Sequence, residues 1–131
     1  MRSYLRSRLQ SIRHGFRGWG YAMQTQQNAR IHVAVTALVL VLGFWVGLPP
    51  RDWAVIILTA TIVFAAEFLN TAIEAVVDLA SPSQHPLAKA GKDVGAAAVL
   101  TAALAAILIG LLVLGPPLLA KLSSWKSAKP F

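Results

Sequence analysis

Three stretches of this chain, residues 31–48, 53–66 and 94–114, contain no aspartate, glutamate, lysine or arginine. A helix rises about 1.5 Å per residue and a bilayer's hydrocarbon core is about 30 Å thick, so runs of this length are membrane-crossing helices or large parts of them. A hydrophobic content of 56% against 13% charged residues leaves no soluble surface that such runs could hide beneath. The sequence therefore predicts an all-α integral membrane protein with three transmembrane helices: residues 31–48, 53–80 and 87–114. The length predicts one domain, 1–120, followed by a flexible tail over 121–131.

The turns carry their own signals. Leu48-Pro49-Pro50-Arg51-Asp52 ends the first span, with Asp52 placed to N-cap the second and Trp45 and Trp53 flanking the turn as interface anchors. Ser81-Pro82-Ser83-Gln84-His85-Pro86 forms the next turn, and Pro86 suits the first position of the third helix. Gly115-Pro116-Pro117 is expected to end that helix.

Upstream of the spans, Leu5, Leu9, Ile12, Phe16, Trp19 and Met23 recur at alternating spacings of four and three, with Arg2, Arg6, Arg13 and Arg17 along one side. This predicts an amphipathic surface helix over 3–27, lying in the membrane interface. Gly15, Gly18 and Gly20 weaken it, leaving room for a bend or for a ligand. The segment is too long and basic for a signal peptide, and the apolar run after it reads as a lasting span.

Orientation follows from the basic residues. Six of the twelve are arginines in residues 1–30; with Lys89 and Lys92 they put eight on one side, against Arg51, Lys121, Lys126 and Lys129 on the other. The amino terminus and the second turn are thus expected in the cytoplasm. The net charge of +7 belongs to this topology signal and to contact with anionic lipid, not to nucleic-acid binding. The chain has no cysteine, which excludes disulfides, a thiolate nucleophile and cysteine metal ligands.

The second span carries its charge in its last half. Glu67, Asn70, Glu74 and Asp78 are spaced three, four and four apart, which gathers them on one helix face. An ionisable group at mid-membrane costs about 2.5–3.5 kcal/mol on insertion scales, so such a face calls for partners and a task. Lys89, Lys92 and Asp93 open the third helix, where antiparallel packing brings them near this face; Lys89 and Asp93 also have the spacing of a helical ion pair. Carboxylates beside a lysine, on the side where ATP and Mg²⁺ are found, suit phosphoryl transfer: magnesium takes one or two carboxylates plus phosphate oxygens, and lysine offsets phosphate charge. No G-x-x-x-x-G-K-[ST] loop is present, so the common nucleotide folds are excluded. His85 has two readings, a phosphate contact or a helix cap, while His14 and His32 read as interface residues. Gly91 and Gly95 offer a small-residue surface for close helix packing.

The run Glu67-Phe68-Leu69-Asn70-Thr71-Ala72-Ile73-Glu74-Ala75-Val76-Val77-Asp78, followed by His85-Pro86 and Ala90-Gly91-Lys92-Asp93, resembles the signature of the prokaryotic diacylglycerol and undecaprenol kinases. Phe16-Arg17-Gly18 and Asn28-Ala29-Arg30-Ile31-His32 extend the likeness to roughly residues 10–115. The resemblance implies a homotrimer that transfers the γ-phosphoryl of ATP, with Mg²⁺, to the hydroxyl of a membrane lipid alcohol, undecaprenol or diacylglycerol. It implies Glu67 as general base and Glu74 as a ligand of the ATP-bound metal. Asn70, Lys92 and Asp93 become polar residues around the phosphates, His85 a member of the nucleotide-contacting turn, and Arg17 a residue on the surface-helix side. Where many members carry a second metal-binding glutamate, this chain has Gln26, a weaker magnesium ligand.

Two other classes compete. A proton-coupled transporter would use intramembrane acids, but it calls for polar residues on facing spans, and the first and third spans are nearly free of them. A non-catalytic membrane assembly protein accounts for Gly91 and Gly95 but not for Glu67, Glu74 and Lys92 together.

Overall fold

A computed structural model describes residues 1–81, 83 and 85–127, with the backbone alone for Arg2, Ser3, Lys126 and Ser127. Pro82, Gln84 and Lys129 of the sequence reading lie outside the described residues, as do the side chains of Arg2 and Lys126. Among the described residues the chain is four helices with no strand: α1 (Arg2–Thr25), α2 (Gln27–Val46), α3 (Pro50–Ala80) and α4 (Pro86–Ser127). The last three are long and apolar enough to cross a membrane.

Each boundary has a local cause. α2 ends at Gly47, whose left-handed backbone (φ 75°) lets its N–H and that of Leu48 both return to the Gly43 carbonyl at 3.0 Å. α3 begins at Pro50, with Pro49 as its N-cap. Asp52 is therefore not the N-cap but the third helical residue, where its charge faces the positive end of the helix dipole. Pro86 opens α4 as its spacing predicts. α1 stops at Thr25 because Gln26 adopts an extended backbone (φ −106°, ψ 118°), and α2 starts at the very next residue. This one-residue hinge falls where a surface helix over 3–27 and a span from 31 were expected, and no glycine or proline marks it.

The largest departure lies in α4, which runs 42 residues straight through Pro116 and Pro117. At 1.5 Å per residue it is about 63 Å long, twice a bilayer core. Proline's fixed φ is helical; its cost is the missing N–H groups that would have paired with the carbonyls of Leu112 and Val113. Packing offsets that cost, since Leu118 joins the cluster of Leu48, Ile56 and Leu114. The Lys121 ammonium donates to the Trp45 carbonyl at 2.7 Å, satisfying an orphan acceptor at the end of α2, and sits 5.7 Å from the Trp45 ring centre. The tail expected over 121–131 is thus helical to Ser127 and tied down at Lys121.

α3 and α4 form the most extensive helix pair, with α2 against both. Gly43 permits this beside the turn between α2 and α3: a Cβ there would lie 2.8 Å from the Trp53 ring, which itself packs on Phe44 with ring centres 4.6 Å apart. Few side chains are buried, while Leu58, Leu69, Leu111 and Leu112 all stay more than half exposed. A membrane, not the chain's own core, has to cover them. The apolar stripe of α1 is likewise exposed down to Trp19, whose ring packs on Phe64 and Phe68 of α3 at 5.1 and 4.8 Å between ring centres, and Met23 at its end is half-buried.

Candidate active site

The predicted acidic face of α3 forms, and the structure divides it into two parts. The deeper part is enclosed. Glu67 is 1% exposed, Asn70 and Thr71 are 7% and 6%, and Glu74 is half-buried. The backbone N–H of Ala29 and the imidazole of His32 neighbour the Glu67 carboxyl group. The Thr71 hydroxyl donates to the Glu67 carbonyl at 2.8 Å. Two amides converge on Glu74: Gln26 Nε2 donates to Oε2 at 2.9 Å, and Asn70 Nδ2 donates to Oε1 at 3.0 Å.

Two oxygens in this enclosure are left over. Among the described residues, Glu67 Oε2 and Asn70 Oδ1 are buried and have no hydrogen-bond partner. A buried acceptor without a donor costs about 1–3 kcal/mol, and more when charged, so these two oxygens call for a donor or a positive charge. Asn70 is held in place from behind by Gly95 of α4, where an added Cβ would run into its side-chain oxygen. Gly91 has open space around it, so of the expected small-residue surface only Gly95 makes a close helix contact within the chain.

The second part is an open cleft of about 700 Å³ at the turn between α3 and α4, lined by Asp78, Ser81, His85, Lys89, Lys92 and Asp93, among others. Lys92 donates to both Asp78 oxygens, at 2.9 and 3.3 Å. Among the described residues no Lys89–Asp93 ion pair forms; the lysine that pairs is Lys92, across the turn. His85 caps α4: its Nδ1 accepts from the Leu87 N–H at 3.2 Å. That bond places the proton of a neutral imidazole on Nε2, which remains a donor.

Between α1 and α3 runs an apolar groove of about 360 Å³, bordered by Gly15, Gly18, Trp19, Phe68, Thr71 and Ala75. Gly15 and Gly18 leave room here, and the helix runs unbroken through them. The groove reaches Thr71, whose hydroxyl bonds the Glu67 backbone.

The structure thus gathers Gln26, Glu67, Asn70 and Glu74 in one cluster and His85, Lys92 and Asp93 in the adjoining cleft. It does not bring Arg17 to either, and leaves it exposed on α1. His32, read as an interface residue, is half-buried and within electrostatic reach of Glu67. The signal for it was the three-residue spacing from Ala29, which sets both on one face of α2. His14 is exposed on the surface helix as expected.

The profile of the prokaryotic diacylglycerol kinases matches residues 13–114. The chain belongs to that family. As a lipid kinase of the family it is 41% identical over 117 residues to the undecaprenol kinase of Bacillus subtilis, covering 89% of this chain and 95% of the relative. It is 45% identical over 112 residues to the diacylglycerol kinase of Synechocystis sp., covering 85% of this chain and 64% of that protein. The diacylglycerol kinase of Pseudomonas aeruginosa is 31% identical over 108 residues, with 78% and 88% covered. Every candidate site residue of this kinase, from Arg17 to Asp93, lies inside the matched stretch, and the Lys121 clamp lies beyond it.

Proposed function

We propose that this kinase transfers the γ-phosphoryl group of ATP, with Mg²⁺, to the hydroxyl of a membrane lipid alcohol, undecaprenol in the first instance. The single observation that carries the mechanism is Glu67, a fully buried carboxylate in a membrane span with one oxygen unpartnered. A lipid hydroxyl supplies the missing donor. Glu67 takes its proton as the alcohol oxygen attacks the γ-phosphorus; the O–P bond forms, the bond to the bridging oxygen breaks, and ADP leaves.

The groove beside Thr71 suits the lipid's chain, and the inner cleft suits the nucleotide. Glu74 lies two turns, about 10 Å, from Glu67 along α3, so phosphates entering from the cytoplasmic end meet a hydroxyl held deeper in the membrane. Lys92 would exchange Asp78 for phosphate oxygens, His85 Nε2–H would donate to phosphate, and Asn70 and Asp93 would complete the polar lining.

Among the described residues no three histidines, aspartates or glutamates form a metal cage. The donor set nonetheless fits magnesium, which needs only one or two protein carboxylates beside phosphate oxygens. Glu74 would be that carboxylate, with the Gln26 amide at the edge, while the Asn70 oxygen lies against Gly95 of α4. Bound there, magnesium would neutralise charge developing on the phosphates.

The basic-residue asymmetry supports a cytoplasmic amino terminus in the bacterial inner membrane. A homotrimer is the assembly we infer, because three spans cannot surround both a nucleotide and a lipid, and the second copy would bring the basic residues that Arg17 represents. The test is direct: purified kinase is incubated with γ-labelled ATP and either undecaprenol or diacylglycerol. Label should enter undecaprenol in a magnesium-dependent manner, and label in neither lipid would end this reading.

A further inference from the structure

Gln26 is at once the hinge between α1 and α2 and a donor to Glu74, 48 positions away. We propose that its neutral amide is a latch that fixes the surface helix against α3 without any cation, making Gln26 a positioning residue that acts through Glu74. The extended backbone at Gln26 gives α1 no helical continuity with α2, so the direction of α1 has to be set by side chains. Two contacts are on hand: Trp19 on Phe64 and Phe68, and the Gln26–Glu74 bond next to the hinge itself. Ala22 is buried between them, and residues 4–18 of α1 are exposed.

The chemistry of the bond makes the inference specific. An amide N–H₂ donates to a carboxylate at 2.9 Å with no change in net charge. A carboxylate at position 26 would face Glu74 with two acceptors and no donor, and like charges at that distance repel. With both carboxylates ionised, only a cation between them would restore the contact. Docking of α1 is therefore independent of divalent ions in this kinase, and a single substitution makes it conditional on them. The amide bond itself stands apart from the proposed magnesium role of Glu74; the conditional behaviour of the variant rests on it.

The chain's lack of cysteine allows the test to be made on the full protein with two introduced cysteines. Spin labels at exposed Leu9→Cys on α1 and Ala80→Cys at the end of α3 report how α1 lies, with labelled chains diluted into unlabelled ones in nanodiscs. The parent should give one narrow distance distribution, the same with a chelator as with saturating magnesium. Gln26→Ala should broaden it under both conditions. Gln26→Glu, nearly the same shape, should broaden it with the chelator and return it to the parent distance with magnesium. Broadening in Gln26→Glu that magnesium does not reverse keeps the latch and overturns Glu74 as a magnesium ligand. A narrow parental distance in Gln26→Ala, or in Gln26→Glu with the chelator, overturns the latch; circular dichroism equal to the parent's confirms that each variant is folded.

Discussion

Gly91 and Gly95 lie one turn apart on α4, and the structure separates them sharply. A Cβ on Gly95 runs into Asn70 Oδ1 and comes within 3.4 Å of Asn70 Cγ and 3.8 Å of its Cα, whereas nothing lies within 4 Å of a Cβ on Gly91. Asn70 has little freedom to yield. It is 7% exposed, and its amide holds Glu74 at 3.0 Å. For Gly95→Ala the chain either parts α3 from α4, at about 1–3 kcal/mol for overpacking, or turns Asn70 and gives up a hydrogen bond to a charged group, at about 1.5–3 kcal/mol. The cheaper route sets the loss at about 1–3 kcal/mol. Gly91→Ala meets no clash and gains up to about 1 kcal/mol of helix propensity. Gly95→Ala gains the same propensity, so the pair of variants should differ by the clash alone, about 1–3 kcal/mol in unfolding free energy, measured by denaturant titration in mixed micelles. Turnover should fall in Gly95→Ala alone, because either route disturbs Glu74. Equal stability and equal turnover in the two variants would refute the packing of Asn70 on Gly95.

Gln26→Glu adds a carboxylate beside Glu74 and should lower the magnesium concentration that half-saturates turnover; an unchanged titration would remove position 26 from the metal's surroundings. Lys92→Met should leave stability nearly intact, because its pair with Asp78 is solvent-exposed, but it should raise the KM for ATP many-fold in steady-state assays. Lys121→Ala removes the donor to the Trp45 carbonyl and the contact with its ring. It should cost about 0.5–2 kcal/mol of stability in the same denaturant titration while leaving kcat unchanged.

The three spans, the surface helix and the acidic face of α3 were legible because each rests on a pattern that one chain records by itself: uncharged length, a stripe of period 3.6, and acids at spacings of three and four. Features that depend on two helices meeting were not. Only the resemblance sets Gln26 near the metal, and its bond to Glu74 emerges once α3 brings the two together. His32 reads as an interface residue because nothing local says that α2 faces Glu67. Gly115-Pro116-Pro117 carries a strong breaking signal, and the sequence gives no weight to what opposes it, the seating of Leu118 and the bond from Lys121 to Trp45. Asp52 has the right chemistry for an N-cap, but the helix starts two residues earlier, at a proline whose missing N–H costs nothing there.

The central claim is that Glu67 takes the proton of the lipid hydroxyl. Glu67→Gln keeps the shape and a hydrogen-bonding side chain but has no basic oxygen to accept that proton. Single-turnover transfer of γ-labelled phosphate to undecaprenol, measured beside equilibrium binding of a non-hydrolysable ATP analogue, separates the chemistry from the fold and the nucleotide site. The account predicts that Glu67→Gln binds the analogue as tightly as the parent and loses transfer by about 10²–10⁴-fold. Transfer within a few-fold of the parent's, with binding intact, would contradict it.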